Sequence, residues 1–363
     1  MTELFLEYGL FLAEVVTVVI AIIIIVLVIA GSVRKGGTPE ERVELVHVNE
    51  KFAEVERSLR QAIVPEEVFK AEEKARKKAE KKAAKEKAKA AKAKAKQKAD
   101  STEDDGEEED EKPRVFVIDF KGDIKASAVG SLREEITAVL MLARPKDRVV
   151  LRLENAGGLV HEHGLAASQL ARIKAREIPL TVLIDKVAAS GGYMMACVAD
   201  RIIAAPFAVL GSIGVLMQLP NFHRLLNEHG IEFEQLKGGQ FKRTLTMFGE
   251  NTDADRAKSQ EEVEDTHSLF QEFVSENRPQ LDLEKVATGE HWYGRRALEL
   301  ALCDELSTSD DYLVAASKES DIYEIKVAEK KPLGRKLADS LGSIVERVLV
   351  RLESRGHERN LLK

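Results

Sequence analysis

The chain has little of what holds small secreted domains together. Its two cysteines, Cys197 and Cys303, are too few for a disulfide framework, and neither falls in a Cys-x-x-Cys or Cys/His spacing. That excludes a disulfide scaffold and a zinc-ribbon type of fold; both read as reduced thiols in or near the core. His161 and His163 form a His-x-His pair, yet no third ligand stands out for them, so no metal and no other cofactor is expected. The pair reads instead as surface or substrate-pocket side chains. Residues 70–99 are almost entirely Ala, Lys and Glu, without an apolar side chain larger than alanine. With no interleaved aromatics and no nucleic-acid motif, the run gives no reason to expect a nucleic-acid partner.

What that run does contain is good helix formers with nothing to bury. It is followed by an acidic block over 101–111, STEDDGEEEDE, of the kind that stays solvated. The net charge of -7 is therefore an average over segments of opposite sign. Residues 32–112 read as a membrane-proximal segment and charged spacer, helical or disordered, that holds the folded domain off the membrane; the alternative is that its lysines contact anionic lipid.

The membrane enters through residues 9–31, GLFLAEVVTVVIAIIIIVLVIAG, because about 20 apolar residues suffice for a helix to cross a bilayer. A cleaved signal peptide would have a basic start and a shorter apolar stretch; here Glu3 and Glu7 precede a long one. Residues 1–8 are then a short outer segment, and Arg34, Lys35 and the later lysines set the bulk of the chain on the cytoplasmic side of a plasma membrane. Residues 187–217 are also largely apolar, but Pro206 and four glycines break them into pieces suited to a buried helix and two buried strands.

From Pro113 the texture alternates. Short β-branched runs at 114–120, 148–153 and 180–184 are separated by helical patterns at 127–142 and 164–175. Further strands are expected at 201–205, 213–217 and 231–236, and a long helix from about 253 to 277. Repeated strand-helix units imply an α/β domain over 113–330 with a mainly parallel sheet. An apolar stripe over 336–352, within a 331–363 tail, predicts an amphipathic helix that packs on a second copy or on its own domain.

Two strand-to-helix junctions carry candidate chemistry. At Ala189-Ser190-Gly191-Gly192 a strand ends and a small-residue helix begins, so the Ser190 hydroxyl sits where unpaired amides favour developing negative charge. Ser190 reads from this pattern either as a nucleophile or as a plain N-cap. At Asn155-Ala156-Gly157-Gly158 paired glycines follow another strand; they suit a bare turn, or amides offered to an oxyanion with that of Gly191.

These pieces, NAGG, DKVAASGGYMMACVADRIIAAP, GSIGV, GGQFKRT and GRRALELALCDEL, occur in the order found in signal peptide peptidase A-type serine peptidases, and the chain resembles that family over nearly its whole length. The resemblance implies a ClpP/crotonase-like fold of repeated β-β-α units and a Ser-Lys dyad. By motif, Ser190 matches the nucleophile, Lys242 the general base, and Gly158 and Gly191, with Gly157, the oxyanion donors. It further implies a homo-oligomer acting on peptides from signal sequences or membrane-protein fragments. Ala156 stands where relatives often carry proline, which loosens the turn rather than the chemistry. A lysine serving as base must be desolvated, because its ordinary pKa of about 10.4 leaves it protonated at neutral pH. The same fold also hosts acyl-CoA enzymes, and an oligomerising scaffold without activity is a third reading; the presence of both dyad positions favours the peptidase.

Overall fold

The computed structural model describes Val16, residues 42–97 and residues 112–328. The expected anchor over 9–31, Val16 apart, the acidic block and the expected tail helix over 336–352 lie outside the described residues. The chain divides into two units: Met1–Glu44 with Val327–Lys363, almost wholly undescribed, and Leu45–Lys326, to which the site belongs. Among the described residues no helix is long and apolar enough to cross a membrane.

The second unit is built on β2 (Arg114–Lys121), β3 (Arg148–Glu154), β4 (Leu180–Ile184), β6 (Arg201–Ala204), β9 (Glu305–Leu306) and β10 (Asp321–Ala328). They run in the order β10-β2-β3-β4-β6-β9, each neighbouring pair parallel, with β1 (Arg42–His47) beyond β10. Strands so placed are covered on both faces, which is why their sequences are nearly continuous in Val, Ile and Leu. The faces separate by the two-residue period of a strand. Phe116, Ile118 and Phe120 of β2 join Val149, Leu151, Leu153, Val182 and Ile202 in the larger core, whereas Val115, Val117, Val150, Leu183 and Ile203 point into a smaller one.

Helices seal the larger core with stripes at three- and four-residue spacing. α3 (Val129–Leu142) contributes Val129, Leu132, Ile136 and Val139; α4 (Val160–Lys174) contributes Ala166, Ala167, Leu170 and Ile173, all buried. α5 (Gly191–Ala196) is buried along its whole length. The smaller core is closed by Val48 and Phe52 of α1 (Val48–Ile63) and by Leu313 of α10 (Ser309–Ala316). Asn49 ties α1 down: its Nδ2 donates to the carbonyls of Ser317 and Ser320, and its Oδ1 accepts from the Ile322 amide. The folded unit thus takes in residues ahead of 113. The Ala/Lys-rich segment forms α2 (Glu66–Gln97), a helix as its propensities demand.

A second sheet of short strands, β5 (Val187–Ala189), β7 (Val209–Gly211) and β8 (His291–Tyr293), pairs β5 with β7 in parallel and β7 with β8 antiparallel. The remaining helices are α6 (His223–Glu228), α7 (Asp253–Asn277), α8 (Leu283–Val286) and α9 (Gly294–Glu299). α7 opens on a capping box, with the Asp255 amide donating to Thr252 and the Thr252 amide to Asp255, so the expected bounds of this helix agree with those found.

The expected strands at 213–217 and 231–236 do not form; neither segment has regular structure. Val209–Gly211 takes the place of the first, because its partner β5 is only three residues long and Ser212, at φ 51°, turns the chain away. Without a sheet face to meet, Leu216, Met217, Ile231, Phe233 and Leu236 stand exposed.

Candidate active site

Ser190 lies between β5 and α5, half-buried, with φ 52° and ψ -120°. A residue with a Cβ adopts this backbone only where its surroundings impose it. They do so here from both sides: the Ser190 amide donates to the Gly211 carbonyl at 2.8 Å, and the Ser190 carbonyl accepts from the Met194 amide at 3.0 Å. One residue earlier the Ala189 amide donates to the Asn155 carbonyl at 3.0 Å, and the Asn155 amide to the Val187 carbonyl at 2.9 Å. The end of β3 is thereby laced to the strand that leads into the serine.

That lacing brings the two predicted junctions together. Gly157 takes φ +92°, and a Cβ there would fall 2.7 Å from Ser190 Cβ and 2.9 Å from the Gly191 nitrogen. Gly158 is shaped by the other wall, since its Cβ would lie 2.1 Å from the Ile124 carbonyl oxygen. Ile124 is held in place because its carbonyl accepts from the Leu159 amide at 2.9 Å. Ser190, Gly157 and Gly191 are thus neighbours, with Gly158 next in chain. The amides of Gly158 and Gly191 have no hydrogen-bond partner among the described residues. The Gly157 amide is engaged: it donates to Asn155 Oδ1 at 2.5 Å. Of the three expected oxyanion donors, Gly158 and Gly191 therefore remain free, and Gly157 shapes the turn.

The sequence carries a signal for the Asn155 role, since an asparagine two residues ahead of a glycine amide is an Asx-turn pattern. Of the His-x-His pair, His161 is exposed as expected of a surface side chain, whereas His163 is fully buried on the inner stripe of α4. Among the described residues no group of His, Cys, Asp and Glu is arranged to hold a metal ion.

Lys242 lies in a turn whose amide donates to the Gly239 carbonyl at 3.2 Å, and its side chain is exposed. It shares no hydrogen bond with Ser190, so within this single chain the expected dyad is not joined. A polar cleft of about 830 Å³ beside α6 and the start of α7, lined by Arg224, Glu228, Glu250 and Arg256 among others, includes none of the candidate residues. The thiols offer no competing nucleophile. Burial pushes Cys197 up to about 12, and burial with the Asp304 carboxylate pushes Cys303 up to about 11, so neither is a thiolate at neutral pH.

Comparison with known proteins bears on this geometry. Two family models match consecutive stretches: "Peptidase family S49 N-terminal" over residues 3–170 and "Peptidase family S49" over residues 172–323. A Haemophilus influenzae protein named "Probable protease SohB" is 47% identical over 351 residues, covering 96% of this chain and 97% of its own length. A protein of the same name from Buchnera aphidicola subsp. Schizaphis graminum is 41% identical, with 96% of each chain covered. With a strained serine beside two unpartnered glycine amides, and both family models laid end to end across its length, the chain belongs to peptidase family S49.

Proposed function

We propose that the chain is a membrane-anchored serine endopeptidase working through a Ser190–Lys242 dyad. The observation that carries this reading is the strained Ser190 turn packed against Gly157, with the Gly158 and Gly191 amides free to meet an oxyanion. Ser190 Oγ attacks a peptide carbonyl while Lys242 Nζ takes its proton; the carbonyl oxygen becomes the oxyanion. Collapse expels the amine, which receives that proton, and leaves an ester on Ser190. Water then gives a proton to neutral Lys242 and attacks the ester; collapse breaks the ester bond, Lys242 returns that proton to Ser190 Oγ, and the acid is released.

Lysine can act as a base only when dry, so the exposed turn carrying Lys242 must be covered in the working enzyme. We assign that role to a second copy of the chain. The same segment exposes Leu216, Ile231, Phe233, Leu236 and Phe241, an apolar surface of the kind that marks an interface. The substrates of this reading are peptides left by signal sequences or membrane proteins, delivered at the cytoplasmic face of the plasma membrane by the anchor over 9–31.

The test is acylation of the full-length protein by a fluorophosphonate probe. Labelling is expected at Ser190, lost in Ser190→Ala, and reduced at least about 100-fold in Lys242→Ala with the fold retained. Labelling that survives Lys242→Ala, or that maps to another serine, overturns the dyad.

A further inference from the structure

Behind the Gly157–Gly158 turn sits a buried polar pair that the chemistry above does not use. Asn155 is 1% exposed and His163 is 0% exposed. His163 Nε2 lies 3.2 Å from Asn155 Oδ1, and its Nδ1 lies 2.9 Å from the Leu159 carbonyl oxygen. The imidazole also forms the wall behind Gly191, since a Cβ on that residue would fall 2.4 Å from His163 Cγ. One ring therefore touches both sides of the candidate oxyanion site: Gly191 directly, and Gly157 through Asn155.

The donor and acceptor roles follow from the Gly157 amide. Because that N–H points at Asn155 Oδ1 from 2.5 Å, the side-chain amide of Asn155 cannot be turned over without setting two donors against each other. The atom facing His163 Nε2 is thus an acceptor. A ring protonated on Nδ1 alone would satisfy Leu159 and oppose a lone pair to the Asn155 oxygen. A proton on Nε2 is what the Asn155 contact requires, and the Leu159 carbonyl already accepts the His163 backbone amide at 3.1 Å, so it does not depend on the ring for a donor. The Asn155 oxygen is thus held from two sides, while its Nδ2 is buried without a hydrogen-bond partner among the described residues.

We propose that His163 is a positioning residue for peptide-bond cleavage: its Nε2–H holds the Asn155 side-chain carbonyl, which in turn holds the Gly157 amide and with it the turn that presents the Gly158 donor. This rests on Ser190 being the nucleophile, as argued above. It goes beyond a packing role, because a core side chain chosen for volume would not need an N–H at one specified atom. Misplacing an oxyanion donor by about 1 Å slows reaction by about 100-fold while leaving remote substrate contacts alone.

The experiment compares full-length wild type, His163→Leu, His163→Gln and Ser190→Ala for the rate of fluorophosphonate labelling and for hydrolysis of a chromogenic peptide ester. Leucine fills the space without an N–H, whereas glutamine places its amide N–H near the former Nε2. Expected are a labelling rate and kcat about 10–100-fold lower in His163→Leu with KM little changed, and recovery of most of the loss in His163→Gln. In parallel, the ¹⁵N signals of the imidazole, assigned by their loss in His163→Gln, should show a protonated Nε2. Wild-type labelling rates in His163→Leu, or an unprotonated Nε2, overturn the proposal and leave the Ser190 reading standing. Failure of wild type itself to label at Ser190 overturns both. Should His163→Leu not fold, the glutamine variant and the ¹⁵N signals decide.

Discussion

At the scale of single residues, the site depends on the absence of side chains as much as on their presence. Gly157 combines a positive φ with a Cβ position 2.7 Å from Ser190 Cβ, so Gly157→Ala must displace the serine or the turn. Loss of Ser190 labelling by about 100-fold or more is expected, with the thermal transition lowered by no more than a few degrees. Away from the site, Asp147 shows what a buried carboxylate does here. Burial alone would raise it, but the Arg114 guanidinium and the Arg144 and Arg114 amides outweigh burial and bring it down to about 2. A depressed carboxylate stabilises the fold above its unfolded value near 4 and loses that contribution as pH falls toward about 2. The difference is about 2–3 kcal/mol. Asp147→Asn should be less stable than wild type by that amount at pH 7 in urea titrations, and the gap should narrow steadily between pH 4 and about 2. A gap unchanged across that range would show that the carboxylate charge is not what stabilises this corner.

At the scale of elements, the strands were legible and the loop that follows them was not. β2, β3 and β4 declare themselves because a parallel strand buried on both faces must be apolar at nearly every position, and the runs at 114–120, 148–153 and 180–184 could pack in no other way. The Ser190 and Gly157–Gly158 junctions were legible for a related reason: glycines directly after a strand need a backbone that only a turn supplies. The segments 213–217 and 231–236 have the same local chemistry, yet neither pairs with a strand, and strand propensity has no expression without a partner. The pairing of Asn155 with His163 is not legible in the sequence because it is a contact in space, across the β3–α4 turn. Another long-range pairing sets an element's position. Arg278, at the end of α7 and 3% exposed, donates from both Nη atoms to Asp304 at 2.9 and 2.8 Å and from Nη2 to the Ala301 carbonyl at 2.8 Å. Asp304 in turn accepts from the Ile202 amide at 2.7 Å, which joins α7 to the edge of the main sheet. Arg278→Leu leaves that carboxylate without its partner and should lower stability by about 3–5 kcal/mol in denaturant titration. A loss below about 1 kcal/mol would mean that water replaces the guanidinium freely.

At the scale of the whole molecule, one structural fact bears on the mechanism more than any other: the serine is built into the core, while the lysine stands in solvent on a segment rich in uncovered apolar side chains. Leu236 is 98% exposed and Leu216 is 76% exposed, so neither contributes to the stability of the single chain. Replacing both by glutamate should therefore leave the unfolding transition of the folded unit where it is. If a second copy covers this segment, burying two carboxylates without partners would cost several kcal/mol and the assembly should fall apart. Light scattering on the full-length protein in detergent micelles is expected to give a multiple of the 40.3 kDa chain for wild type and one chain for Leu216→Glu with Leu236→Glu. Labelling of Ser190 should fall with the assembly, since a lysine left in water stays protonated and cannot take the serine proton. The two readouts must move together. A dissociated variant that labels at the wild-type rate would show that Lys242 is dried within its own chain, and an assembly that survives both substitutions would place the interface elsewhere.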